Sequence, residues 1–144
     1  MPVAGGDRTS SGGCLCGAVR FTAEGEPYRV GLCHCLDCRK HGGAPFGAFA
    51  IFPAEQVAVH GEVGRDLSST HGGRHFCRQC GSPLFARGDG SDEIELHLGA
   101  FDRPGLFAPT YELWTIRREP WLPAIPGVVR LYERDRPGEE RGEP

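Results

Sequence analysis

The sequence is poor in what long helices are built from. Its 144 residues hold a single Met, at position 1, against 22 Gly and 12 Pro, a balance that favours short strands joined by turns. It has no apolar stretch long enough to cross a bilayer, and the opening MPVAGGDRTSSGG places no apolar segment behind a basic start. These absences predict a cytoplasmic protein with no membrane partner. No run of Lys or Arg is long enough to follow a phosphate backbone, and 16 basic against 19 acidic residues leave a formal charge of -3. Nucleic acid is therefore not expected as a partner.

The length suits one domain. Residues 1–12 are small and polar without apolar periodicity and read as a flexible N-terminal arm; 13–132 read as a single domain. Residues 133–144, ERDRPGEERGEP, read as a charged, flexible tail. Within the domain, AVRFTA, YRVGLC, FGAFAIF, VAVH, PLFAR, IELHL and YELWTI carry the alternation or branched and aromatic content of strands. Leu36–His41 is the one stretch suited to a short helical turn, stopped by Gly42 and Gly43. REPWLPAIPG, with three prolines, is expected as extended backbone over the core, where Trp121 would pack.

What the chain lacks most tellingly is an isolated cysteine. All seven lie in clusters: Cys14-x-Cys16, Cys33-x-Cys35-x2-Cys38 and Cys77-x2-Cys80. An odd number cannot pair completely within one chain, and in a reducing compartment tight clusters indicate metal rather than disulfides. CRQCG is a zinc-knuckle pattern, in which a tight turn presents two sulfurs and Gly81 is free to take positive φ. A structural zinc needs four ligands, so a second pair must come from Cys14 with Cys16 or from two of the central three. In an extended Cys-x-Cys both side chains share a face, which makes Cys14, Cys16, Cys77 and Cys80 a plausible closed site.

That assignment leaves Cys33, Cys35 and Cys38. Three protein ligands with an open fourth position is the arrangement of catalytic zinc. His41 could instead close the site and make it structural, and a metal-free redox cluster is a further alternative. His34 would face away from the sulfurs as a packing or supporting residue. Arg39, Lys40, Arg74 and Arg78 could offset thiolate charge, and Asp37 reads as a turn former. The charge balance shows no anion clamp.

With both sites assembled, the chain resembles the glutathione-dependent formaldehyde-activating enzyme (GFA) or centromere-protein-V domain family of the Mss4-like fold. GGCLCGAVRF, CHCLDCRKHGGAPFGAF, HFCRQCGSPLF and YELWTIRREPW carry the likeness. The resemblance implies a mostly β, Mss4-like architecture of small antiparallel sheets organised around zinc. It implies structural zinc on Cys14, Cys16, Cys77 and Cys80, and catalytic zinc on Cys33, Cys35 and Cys38. It further implies a carbon-sulfur lyase in which glutathione adds to formaldehyde to give S-hydroxymethylglutathione, so the expected partner is a small thiol or aldehyde. Two positions depart from the family's pattern: Gly42-Gly43 stands where many relatives have Ser-Gly, and Glu112 where many have His. Two readings of other classes remain alongside the enzyme: a non-catalytic zinc-stabilised binding module and a thiol redox sensor.

Overall fold

The computed structural model describes residues 8–68 and 73–142, and within them the chain is mostly β. Eleven strands run in the order β1 (Thr9–Gly13), β2 (Arg20–Glu24), β3 (Arg29–Cys33), β4 (Gly47–Pro53), β5 (Val57–His60), β6 (Val63–Asp66), β7 (Gly73–Cys77), β8 (Pro83–Arg87), β9 (Glu93–His97), β10 (Tyr111–Leu113) and β11 (Arg130–Leu131). One α-helix, α1 (Leu36–Gly42), lies between β3 and β4. Among the described residues no helix is long and apolar enough to cross a membrane.

The strands form two sheets. A three-stranded sheet has the order β1-β2-β5, and an eight-stranded sheet the order β11-β10-β3-β4-β9-β8-β7-β6. Pairing is antiparallel except for β10, which runs parallel to both β3 and β11. Alternation explains the outer strands: in β9, Ile94 and Leu96 point inward while Glu93, Glu95 and His97 are half-buried. β4 sits between β3 and β9 and is buried on nearly every residue, as its continuous apolar run requires.

Two apolar clusters fill the interior, and each contains a cysteine group. Phe21, Phe52, Leu84, Leu96 and Phe101 pack with Cys14 and Cys77, whereas Phe49, Ile51 and Trp114 pack with Cys33, Cys35 and Cys38. A fully buried ring such as Phe52 contributes roughly 1.5–3 kcal/mol relative to exposure. That is little against the ordering entropy of a chain this glycine-rich, so additional cross-links have a large effect on stability.

Several sequence expectations are corrected. Thr9 to Gly12, expected as the end of the arm, lie in strand β1: it pairs residue by residue with β2, and such a main-chain ladder needs no apolar periodicity. Residues 1–7 of the expected arm lie outside the described residues. The expected tail is tied down through residue 142. Trp114 N donates to Arg134 O at 3.1 Å, Trp114 Nε1 donates to Asp135 Oδ1 at 2.9 Å, and Arg141 pairs with Glu95 at 3.1 Å. Charge pairing and a ladder extension order this segment in place of apolar burial. YELWTI is a strand only as far as Leu113, because Trp114 takes φ 58° and turns the chain into a single helical turn, Thr115–Arg117. Trp121 stays 65 % exposed and packs into neither core. β6, β7 and β11 lie in segments too polar or too short to read as strands.

Candidate metal centres

Cys14 and Cys16 follow β1, and Cys77 ends β7 with Cys80 in the next turn. Both turns need positive φ after the second cysteine, and both have glycine there, Gly17 at 84° and Gly81 at 80°. The turns are closed by Gly17 N donating to Cys14 O at 3.2 Å and Gly81 N to Cys77 O at 2.8 Å. The four sulfurs all lie within 4.8 Å of one another and could hold a metal ion. Cys14 Sγ is 3.6 Å from Cys16 Sγ, which is 3.8 Å from Cys77 Sγ. Sulfurs at about 2.3 Å from a tetrahedral zinc stand about 3.8 Å apart, so the donor set fits that ion.

The surroundings also suit thiolates. Val19 N donates to Cys14 Sγ at 3.2 Å, Gln79 N to Cys77 Sγ at 3.3 Å, and the Ser82 hydroxyl lies 3.2 Å from Cys80 Sγ. Contacts with Ser82 hold the Cys80 thiol down at about 5. Because Cys14 directly follows β1 of the small sheet and Cys77 ends β7 of the large one, a metal held by this group would tie the two sheets together.

The second group is built by a strand running into a helix. Cys33 ends β3, Cys35 is the N-cap of α1 and accepts from Cys38 N at 3.3 Å, and Cys38 lies one turn on. All three are buried, and their sulfurs lie within 4.8 Å of one another. Contacts with Cys35 and Cys38, then burial, push the Cys33 thiol well up. A cation held among the three sulfurs would reverse that preference, so this donor set also fits a metal ion.

Each flanking residue has a distinct place. His34 is outside the three-sulfur group, as its position between Cys33 and Cys35 in an extended segment leads one to expect. Its Nε2 lies 2.7 Å from Glu112 Oε1, which also accepts from Arg118 Nε at 2.8 Å; His34 and Glu112 are buried and Arg118 is partly so. Burial lowers the His34 pKa against the opposing pull of Glu112. His41 is not in the three-sulfur group; its ring centroid is 6.3 Å from that of His97. Arg74, buried on β7, donates from Nη2 to Cys38 Sγ at 3.7 Å. Arg39 pairs instead with Glu119 at 2.8 Å, and Arg78 is exposed beside Glu62.

A cleft of about 50 Å³ opens beside Cys33 and Cys38. Four arginines line it, Arg29, Arg74, Arg136 and Arg141, against three carboxylates, Glu95, Asp135 and Glu139; Phe49 and Tyr111 line it too. These cations come from β3, β7 and the C-terminal segment, and no local pattern in the sequence joins them; Arg29, Arg136 and Arg141 are already paired with carboxylates there. Gly31 makes room for the cleft wall, since a Cβ there would lie 2.3 Å from the Tyr111 ring.

On the far side of Phe49, His97 has a measurable consequence. Burial, reinforced by His41 and Arg74, holds its pKa down at about 4. The unfolded chain therefore binds the His97 proton more readily between about pH 4 and 6.5, so stability is full above 6.5 and falls as pH drops toward 4. The expected loss over that window is on the order of 3 kcal/mol. Denaturant titrations at several pH values should show this slope in the wild type and a shallower one in His97→Gln.

Residues 9–117 match the family model described as glutathione-dependent formaldehyde-activating enzyme. An uncharacterized lyase of Schizosaccharomyces pombe is 36 % identical over 74 residues, 51 % of this chain and 54 % of that protein. A protein of Halomonas elongata named as a candidate glutathione-dependent formaldehyde-activating enzyme is 38 % identical over 85 residues, 51 % of this chain and 53 % of its own length. The matches thus span about half the length of these curated relatives. A crystal structure of a Rhodobacter sphaeroides protein is similar in fold, with a TM-score of 0.51 and 21 % identity, covering 67 % of this chain and 90 % of the other.

Proposed function

The chain belongs to the glutathione-dependent formaldehyde-activating enzyme family, and from that premise we propose that it is a zinc-dependent carbon-sulfur lyase acting on a thiol-aldehyde adduct, with S-hydroxymethylglutathione as the example. One observation carries this reading: three buried sulfurs, Cys33, Cys35 and Cys38, converge, and two of them, Cys33 and Cys38, line a cleft that also gathers four arginines.

In the proposed division of labour, Cys14, Cys16, Cys77 and Cys80 hold a structural zinc. Cys33, Cys35 and Cys38 hold a second one with catalytic work to do. When bound there, zinc supplies Lewis acidity, stabilising a thiolate or polarising a carbonyl at neutral pH.

The chain's own residues supply the rest. In the synthetic direction the thiol sulfur bonds to the aldehyde carbon, the carbonyl π pair moves to oxygen, and that oxygen takes up the proton lost by the thiol. Arg74 offers fixed N–H donors and a positive charge beside Cys38, where negative charge gathers during this exchange. Phe49, Ile51 and Leu113 give the cleft an apolar side that excludes water. The buried pair His34 and Glu112, braced by Arg118, anchors the peptide between Cys33 and Cys35, and His34 N donates to Leu113 O at 3.0 Å. The Glu112 that departs from the family pattern is therefore a partner of His34 rather than a group facing substrate.

Exchange NMR of labelled formaldehyde with glutathione tests the reading, because it reports adduct turnover above the uncatalysed background. The exchange rate should rise in proportion to protein concentration. Arg74→Met should lower the increment roughly 10- to 100-fold, as expected for a lost charge-assisted donor, with partial recovery in Arg74→Lys. Equal exchange with and without protein would contradict the proposed reaction.

A further inference from the structure

The C-terminal segment beyond the family match supplies Asp135, Arg136, Glu139 and Arg141 to the cleft beside Cys33 and Cys38. Its backbone is firmly tied. Asp135 accepts from Trp114 Nε1 at 2.9 Å and, through Oδ2, from the amides of Arg141 and Gly142, each at 2.7 Å. Arg141 is held by Glu95 and Arg136 lies over the Tyr111 ring at 5.9 Å.

Glu139 is held differently. Its carboxylate bridges two arginines from different parts of the fold: it accepts from Arg136 and approaches Arg29 Nη2 at 3.5 Å. Arg29 already has a complete partner, donating to both oxygens of Glu93 at 2.9 and 3.1 Å. Glu139 is thus the looser of the two anions at Arg29, and its side chain is about one-third exposed, so it can swing to solvent without moving the C-terminal segment. Glu93 would stay to hold Arg29 in place.

We propose that Arg29 and Arg136 form a carboxylate-binding subsite of the cleft, and that Glu139 occupies it as an internal stand-in which an anionic thiol substrate displaces. This rests on the reading of the cleft as the substrate site. It explains why the cleft, at about 50 Å³, is narrower than the roughly 300 Å³ and more typical of pockets that enclose organic ligands. Displacement of Glu139 opens the mouth at the point where the ligand's carboxylate takes its place. Selectivity for acidic thiols then depends on Arg29 together with Arg136 and Glu139, the last two lying outside the family match of residues 9–117.

The test is calorimetric titration of S-methylglutathione, which has no free thiol and does not turn over, into wild type and Glu139→Gln at physiological ionic strength. Removing the competing carboxylate should tighten binding roughly fivefold, the equivalent of one partly exposed ion pair. The diethyl ester of the same probe, lacking both carboxylates, should bind Glu139→Gln no more tightly than wild type. Equal affinity of the two proteins for the acid, or equal tightening for acid and ester, overturns the stand-in role. If the wild type turns over glutathione and formaldehyde while Glu139→Gln binds S-methylglutathione unchanged, the subsite alone is wrong and the lyase reading survives. Failure of either protein to bind S-methylglutathione overturns the subsite together with the choice of glutathione.

Discussion

Cys80→Ser is expected to abolish the folded state, or to leave a protein that aggregates on purification. Cys80 is only half-buried, so in a metal-free protein the exchange of sulfur for oxygen there would lie within about 0.5 kcal/mol of neutral. If zinc joins Cys80 to Cys14, Cys16 and Cys77, the same change removes a ligand from a site whose metal contributes on the order of 10 kcal/mol to folding. That is comparable to the entire stability of a domain this size, typically 5–15 kcal/mol. The expected readouts are loss of the cooperative thermal transition and loss of bound zinc. A well-folded Cys80→Ser protein with an unchanged melting temperature would contradict a structural role for this group.

Cys35→Ser should give the opposite pattern: folded, short of one zinc, and inactive. Cys35 is the N-cap of α1, where its sulfur accepts from Cys38 N, and serine is among the best residues for that position. The helix therefore keeps its cap while the metal loses a soft donor. The second group lies within one sheet and its adjoining helix rather than between the two sheets, so the fold has less to lose. We expect a melting temperature within about 4 °C of wild type, the shift of roughly 1 kcal/mol in a domain of this size. Adduct turnover should fall by about 10³ or more, as for removal of a catalytic metal. Circular dichroism and exchange NMR on the same preparation check both halves. Equal loss of fold in Cys35→Ser and Cys80→Ser would remove the distinction between the two groups.

The contrast between these variants bears on what the sequence could reveal. The cysteine motifs were legible because spacing inside each one is local chemistry; that Cys14 and Cys16 meet Cys77 and Cys80 rather than the central three was left open by spacing, and the structure brings together those two sets. Strands such as β2, β4 and β9 were legible because burial imposes alternation or a continuous apolar run. β1 was not, because Thr9–Gly13 is held by main-chain hydrogen bonds to β2, which leave no trace in side-chain pattern. The cleft was hidden for a related reason. Arg29, Arg74, Arg136 and Arg141 converge only once β10 has paired with β3 and the C-terminal segment has folded back over Trp114. A net charge of -3 says nothing of that convergence. His34 was partly legible, since alternation set it outside the sulfur group, but its partner Glu112 lies 78 positions on and is brought near by the parallel pairing of β10 with β3.

Zinc content per chain, by elemental analysis of freshly purified wild type and Cys33→Ser with circular dichroism on both, tests the two-site division most directly. The predicted result is about two zinc ions in the wild type and about one in Cys33→Ser, with superimposable spectra. About one zinc in both proteins, or loss of the fold together with the second zinc, would contradict it.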